Sequence, residues 1–300
     1  MINNMNRRSF IRSAILFPIA VNVMDTNALN SLIKSDEKTQ RMPVLFVGHG
    51  SPMYAIEENE FVDSWRKLGE TIPRPKAILC ISAHWETNGT FVTAMSKPPT
   101  IHDFGGFPKE LFAVQYPAPG SPELAMETKR SVTNVKVGLD EKWGLDHGAW
   151  SVIRNIYPKA DVPVIEMSLD YNMSPQTHYD MAKELSALRD KGVLIVGSGN
   201  IVHNLRMVAW DKMNEPEYGF DWAVHANEKI KQLILNNNHK ELINYSLLGR
   251  EVQMAVPTPE HFLPLLYALA LRGSNDQVSF FNDKAVMGSL TMTSLKIGLF

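Results

Sequence analysis

Residues 193–203 read Val-Leu-Ile-Val-Gly-Ser-Gly-Asn-Ile-Val-His, in which an apolar run (Val193–Gly197) precedes a small polar turn and a histidine. Short runs of this kind, rich in Val, Ile and Leu, are typical of strands that are buried on both faces of a sheet. The chain contains three more, at Pro43–Gly48, Ala77–Ala83 and Pro163–Leu169. These four runs predict a buried central sheet.

Helical patterns lie between and after these runs. Ser174-Pro175 offers an N-cap and a proline at the first helical position, and Asp221–Leu235 has an apolar face. Thr258-Pro259 predicts the start of a further helix with His261 in its first turn, and Met287–Gly298 ends in a strand-like run. Alternating strands and helices predict an α/β fold, namely a single domain with a mostly parallel or mixed central sheet flanked by helices. Ligands of such folds bind at the carboxyl ends of the strands, where we expect the active site.

Composition excludes several classes of protein. With 300 residues, 44% hydrophobic and 21% charged, the chain is too long and too apolar for a disordered protein or a disulfide miniprotein. Its single cysteine, Cys80, excludes an internal disulfide framework and a CxxC zinc knuckle. A net charge of −2 with a pI near 6.5 argues against a dedicated nucleic-acid binder.

The N-terminus has the pattern of a targeting signal. Arg7-Arg8-Ser9-Phe10-Ile11 resembles a twin-arginine motif, and the uncharged stretch Ser13–Met24 is too short to span a bilayer as a stable anchor. We therefore expect a signal peptide at 1–30, a linker at 31–41 and the catalytic domain at 42–300, with a periplasmic location. The alternative is a basic terminus on a cytoplasmic enzyme.

Histidines follow the predicted strands. His49 follows the first run, His84 the second and His203 the last, and His261 belongs to the predicted helix start. Because the carboxyl ends of parallel strands meet at one edge of a sheet, we expect these side chains to converge. Neutral imidazole suits both Zn²⁺ and Fe²⁺. The pattern is typical of a site for one divalent metal ion per chain.

Seven motifs in one order along the chain make this pattern specific. They are Gly48-His49-Gly50-Ser51-Pro52, Ser82-Ala83-His84-Trp85, 98–108 (PPTIHDFGGFP), 116–122 (YPAPGSP), Asp146-His147-Gly148, 199–205 (GNIVHNL) and 257–266 (PTPEHFLPLL). They resemble the 4,5-DOPA extradiol dioxygenase family, which belongs to the class III extradiol ring-cleavage enzymes of the catalytic-subunit-B type. The resemblance extends from about Met42 to Gly298.

The resemblance implies a metal site and a reaction. His49, His84 and His261 are expected to hold the metal, which is Fe²⁺ for dioxygenase activity or Zn²⁺ as a bound form. His203 falls at the family's catalytic-base position and is expected to approach the metal as a fourth ligand. More distant class III enzymes use a glutamate as third ligand, so Glu260 competes with His261. The expected partners are O₂ and a small, DOPA-like catechol.

The remaining histidines have more than one interpretation. His147 is expected to hydrogen-bond substrate as a second catalytic residue, or, with Asp146, merely to cap a helix. His102 and Asp103 are either a rim of the active site or a structural turn. Three further histidines are expected at the surface of helices: His178, His225 and His239.

Two other functions compete with ring cleavage. A zinc hydrolase would use the metal to polarise a carbonyl and to lower the pKa of bound water to about 7. A non-catalytic metal-binding relative would keep the fold alone, although it would not need all four histidines. Oxygen consumption with a catechol separates the dioxygenase from both.

Overall fold

The computed structural model describes residues 40–299. Its strands, numbered in chain order, are β1 Val44–Gly48, β2 Ala77–Thr87, β3 Thr90–Thr93, β4 Val137–Asp140, β5 Val164–Asp170, β6 Val193–Gly199, β7 Gln277–Phe281, β8 Ala285–Val286, β9 Leu290–Thr291 and β10 Ser294–Gly298. Eight of them form one sheet in the order β4-β3-β5-β2-β6-β1-β10-β7, while β8 pairs with β9.

The sheet is mixed, as the sequence predicts. Strands β5, β2, β6 and β1 are parallel neighbours, and β3 is parallel to β4. Antiparallel pairs join β3 to β5 and add β10 and β7 beside β1. The four apolar runs of the sequence therefore form the parallel centre, whose carboxyl ends lie at one edge.

Helices cover both faces of this sheet. In chain order they are α1 Glu60–Thr71, α2 Lys109–Phe112, α3 Pro122–Ser131, α4 His147–Ile156, α5 Pro175–Lys183, α6 Ser186–Asp190, α7 Asp221–Leu235, α8 His239–Ile243, α9 Arg250–Ala255 and α10 Leu263–Ala270. Alternate residues of β1 pack into opposite cores, Val44 and Phe46 on one side, Leu45 and Val47 on the other. Both faces of the central strands are thus buried, which explains their continuous apolar sequence.

The sequence predicts the starts of α5 and α7 correctly and the start of α10 wrongly. Ser174 caps α5 by accepting from the Thr177 backbone N–H, and α7 has the predicted bounds. The prediction that a helix begins at Thr258-Pro259 is wrong, because α10 begins only at Leu263. A helix from Pro259 would place Pro264 in its interior, where the missing N–H and the ring disrupt a helix; the observed start puts Pro264 in the first turn. His261 therefore lies in the turn that precedes the helix.

The two predicted N-terminal segments lie almost entirely outside the described residues. The signal peptide at 1–30 lies wholly outside them, as does nearly all of the linker at 31–41. Among the residues that the structure describes, none of the helices has the length and apolar character needed to cross a membrane.

A close approach at the end of β6 ties the strand to the His261 turn. A Cβ added at Gly199 would lie 2.1 Å from the backbone oxygen of His261. The same oxygen accepts a 2.9 Å hydrogen bond from the backbone N–H of Asn200. Only glycine therefore allows this contact without displacing the turn.

We expect Gly199→Ala to lower the free energy of unfolding by about 1–3 kcal/mol, because the added methyl group must push two backbone segments apart. Urea unfolding would measure the change. Gly105→Ala is the matched control, since a Cβ there meets nothing within 4 Å, and its effect should stay within about 0.5 kcal/mol. Equal stabilities of the two variants would contradict the role assigned to Gly199.

Candidate metal centre

Five imidazole rings lie together at the carboxyl edge of the parallel strands. We call them the histidine cluster: His49, His84, His147, His203 and His261. His49 directly follows β1, and His203 follows β6 after a short turn, as the sequence predicts. His84 lies within β2 rather than after it, because β2 continues to Thr87 past a register irregularity.

Three of the predicted ligands form a nearly equilateral triangle. The ring centroids are 5.0 Å apart for His49 and His84, 5.2 Å for His49 and His261, and 5.1 Å for His84 and His261. The Nε2 atoms of His49 and His84 are 3.1 Å apart. Rings that each place a nitrogen about 2.1 Å from one ion have centroids about 5 Å apart. The three rings therefore have the spacing expected of imidazoles around a single divalent metal ion.

Each of the other two rings lies against one corner of the triangle. His203 stacks on His261 with centroids 3.5 Å apart, and His147 lies 3.9 Å from His84. Potential ligand atoms lie within 4.8 Å of one another in two adjacent groups: His49, His84 and His147, and His203, Glu260 and His261. The predicted ligands are thus divided between the groups, and His147 offers a second way to complete three nitrogens around His49 and His84.

The tautomer of His49 follows from its neighbour Ser198. The Ser198 hydroxyl donates its only proton to the Gly148 carbonyl oxygen at 2.6 Å, so its oxygen accepts from Nδ1–H of His49 at 3.1 Å. This leaves the lone pair of His49 Nε2 free for a metal. Sequence reasoning missed Ser198, whose only signal was a polar residue between two glycines at a strand end.

Glu260 interacts with His261. Its Oε1 atom accepts hydrogen bonds from Nδ1 of His261 at 3.1 Å and from the Thr258 hydroxyl at 2.8 Å. A carboxylate that holds the outer nitrogen of an imidazole leaves the other nitrogen for the metal and fixes the ring orientation. This contact favours His261 over Glu260 as the third ligand.

Burial keeps four rings of the cluster neutral, namely His49, His84, His203 and His261. Desolvation and then the neighbouring rings lower the pKa of His49 and His261 well below the usual value. The same two causes lower the pKa of His84 to about 3, and desolvation lowers that of His203 to about 4. These four imidazoles are therefore unprotonated near neutral pH, which is the state that binds a metal.

Asp146 is the helix cap, and His147 belongs to the histidine cluster. Asp146 caps α4, since its Oδ1 accepts from the Ala149 backbone N–H at 3.1 Å and from the Ser82 hydroxyl at 2.6 Å. His147 is the first residue of α4, and its ring lies in the histidine cluster. The helix cap thus places His147 beside His84.

The loop before α2 contains Asp103, which contacts the histidine cluster, and His102, which contacts Val114 and Trp150. Asp103 accepts hydrogen bonds from His147. His102 instead points away from this contact, because its Nε2 bonds the Val114 carbonyl at 3.0 Å and its ring contacts Trp150. His102 therefore holds the loop, as the structural-turn interpretation expects.

The three histidines expected at the surface differ in their exposure to solvent. His225 is exposed beside Glu251, as predicted. The prediction for His178 is wrong: it is fully buried, with its ring nitrogens 2.8 Å from the Tyr267 hydroxyl and 3.2 Å from the Asp170 carbonyl, and burial lowers its pKa to about 4. His239 is only half-buried and bonds the Tyr179 hydroxyl at 2.7 Å. The missed signal was spacing, because His178 precedes the buried Met181 and Ala182 by three and four residues.

Known proteins resemble this chain over most of its length. The family model for the catalytic LigB subunit of aromatic ring-opening dioxygenase matches residues 43–295. A 4,5-DOPA dioxygenase extradiol of Escherichia coli K12 is 47% identical over 262 residues, covering 86% of this chain and 95% of that protein. One of Beta vulgaris is 35% identical over 260 residues, covering 84% and 94%. The crystal structure of an uncharacterized protein from Escherichia coli K12 has a TM-score of 0.74 at 42% identity and covers 86% of this chain and 100% of that one.

Proposed function

The chain belongs to the family of catalytic LigB subunits of aromatic ring-opening dioxygenases, and we propose that it is an extradiol dioxygenase that opens a small catechol with O₂. The observation that carries the proposal is the histidine cluster, which joins a metal-sized triangle of rings to two further imidazoles. Two of the relatives are named for 4,5-DOPA, so a DOPA-like catechol is the proposed substrate.

One Fe²⁺ ion per chain is the proposed cofactor, held by His49, His84 and His261. Bound Fe²⁺ supplies redox chemistry toward O₂ that Zn²⁺ lacks. The donor set is all imidazole, which suits either ion. We therefore propose that a zinc-loaded form binds catechol without opening it.

The two remaining rings handle protons. A catechol must lose its phenolic protons before the carbon–carbon bond beside the diol breaks and both atoms of O₂ enter the product. His203 is the proposed base for the second proton, because its imidazole can accept a proton and its ring stacks 3.5 Å from His261, beside the triangle of proposed ligands. His147 borders the same space and is the proposed hydrogen-bond partner of the substrate.

An aromatic wall beside the cluster suits a flat ring. Phe104 meets His147 edge-to-face with centroids 5.5 Å apart. Phe107 and Phe112 pack against Phe104 at 5.3 and 5.1 Å. Apolar walls with a few convergent polar groups are typical of small-molecule sites, and edge-to-face contacts accommodate another aromatic ring.

The proposed function is tested by loading the protein anaerobically with Fe²⁺ and then adding air and a panel of catechols. We expect one O₂ consumed per catechol, followed with an oxygen electrode, together with a yellow ring-opened product. The zinc-loaded protein is the control and should consume none. Hydrolysis of esters or amides by the zinc form without O₂ uptake by the iron form would support the zinc hydrolase instead, and inactivity of both forms would support the non-catalytic relative.

For the N-terminus we propose a twin-arginine signal and a periplasmic location, on the basis of Arg7-Arg8-Ser9-Phe10-Ile11. A reporter fused after residue 40 should reach the periplasm, and Arg7→Lys combined with Arg8→Lys should retain it in the cytoplasm. Cell fractionation would measure both. Retention of the unaltered fusion in the cytoplasm would show that the enzyme stays there.

A further inference from the structure

Asp103 binds one histidine of the cluster through both carboxylate oxygens. Its Oδ1 accepts the backbone N–H of His147 at 2.9 Å, and its Oδ2 accepts Nδ1–H of the same residue at 2.8 Å. The Oδ2 atom also lies 3.6 Å from Nδ1 of His84. Asp103 as a whole residue is exposed, whereas its side chain is only 15% exposed because it contacts His147 and His84.

The proton positions in this contact are determined by the carboxylate. Both Asp103 oxygens lie at hydrogen-bond distance from His147, one of them from a backbone N–H that can only donate, and an aspartate carboxyl is ordinarily ionised near neutral pH. An ionised carboxylate is an acceptor only, so Nδ1 of His147 must carry the proton. In the neutral ring, Nε2 of His147 is then a bare acceptor.

We propose that Asp103 is a positioning residue that fixes His147 in the tautomer with an unprotonated Nε2, so that His147 accepts a hydrogen bond from a catechol hydroxyl. This inference rests on the proposed function. The same carboxylate holds the start of α4 through the His147 backbone, so one side chain sets the tautomer, the ring orientation and the position of the helix. His147 itself touches the substrate, and Asp103 acts through it.

Asparagine at position 103 separates a tautomer role from a packing role. Asp103→Asn keeps the size of the side chain and can still accept the His147 backbone N–H. Its amide group then donates to Nδ1, which moves the His147 proton to Nε2. In the Ser-His-Asp proteases the equivalent Asp-to-Asn change leaves the geometry intact and lowers kcat by about 10⁴ through the wrong tautomer.

The kcat values of the two Asp103 variants should therefore differ in the direction opposite to that expected from a packing role. Asp103→Asn should lower kcat at least about 10²-fold with unchanged iron content. Asp103→Ala should lose less, because water then contacts Nδ1 and both tautomers are populated. A packing role predicts the reverse order, since alanine removes both hydrogen bonds and asparagine removes neither. Asp211→Asn, an exposed position, is the charge-matched control and should leave kcat unchanged.

A second measurement reads the tautomer without turnover. Nitrogen-15 NMR of the zinc-loaded protein, labelled at histidine and assigned with His147→Gln, should show a protonated Nδ1 at His147 in the wild type. It should show a protonated Nε2 in Asp103→Asn. An unchanged tautomer, or a changed tautomer with wild-type kcat, would overturn the inference. Absence of O₂ uptake by the wild-type iron protein would overturn the proposed function alone, because the NMR signature does not depend on turnover.

Discussion

The His261→Ala variant should lose high-affinity binding of one metal ion per chain, and His49→Ala and His84→Ala should lose it as well. Each change removes one corner of the triangle of rings whose centroids lie 5.0–5.2 Å apart. Two imidazoles and water do not hold a divalent ion against dialysis as three imidazoles do, because structural and catalytic sites need at least three protein ligands. Elemental analysis after dialysis against a chelator would measure the metal retained.

Two further variants separate the competing ligand sets. Glu260→Ala should keep the metal with an affinity lowered about 10–100-fold, the usual cost of removing a partner that orients a ligand. If Glu260→Ala loses the metal while His261→Ala keeps it, the third ligand is Glu260. If His147→Ala loses it and His261→Ala does not, the ion belongs to the group formed by His49, His84 and His147. His225→Ala is the matched control, since that ring is exposed beside Glu251.

His203→Ala should slow turnover about 10²–10⁴-fold, the usual contribution of a positioned general base, and should leave most of the metal affinity intact. The reason is the position of the ring, which stacks face-to-face on His261 with an interplanar angle of 9° and lies outside the triangle. Steady-state kinetics of the iron-loaded variant, together with its metal content, would measure both effects.

Substrate acidity distinguishes a base from a ligand at position 203. With nitrocatechol, whose hydroxyls lose their protons more readily, the defect of His203→Ala should shrink because less help is needed from a base. If His203 is chiefly a fourth ligand, the variant should lose metal and an acidic substrate should not restore turnover. Normal metal content with normal turnover on plain catechols would leave His203 a structural residue.

The strands and the meeting of the histidines could be predicted from the sequence because both depend on local patterns. A buried parallel strand needs a continuous apolar run, and His49 and His203 follow such runs directly. Thr258-Pro259 predicts a helix start that is too early, because Pro264, five residues after Pro259, is excluded from a helix interior.

Hydrogen-bond partners across the fold could not be predicted in the same way. Ser198 meets His49 over 149 positions of chain, and Asp103 meets His147 over 44. These pairs depend on sheet register and on the placement of α4, which no local pattern encodes. The burial of His178 was missed for a related reason, since the Tyr267 hydroxyl that bonds it lies 89 positions away.

Strand β1 pairs with a strand that lies far along the chain, so this part of the sheet is completed late in synthesis. The strand that delivers His49 lies between β6 and β10, and the Gly48 N–H bonds the Ser294 hydroxyl across 246 positions of chain. While a ribosome is still making the segment around β10, β1 can pair with β6 but its other edge stays open. Domains complete their folding as units once such distant pairings close. We therefore expect the triangle of rings to reach its final arrangement only after β10 has been synthesised.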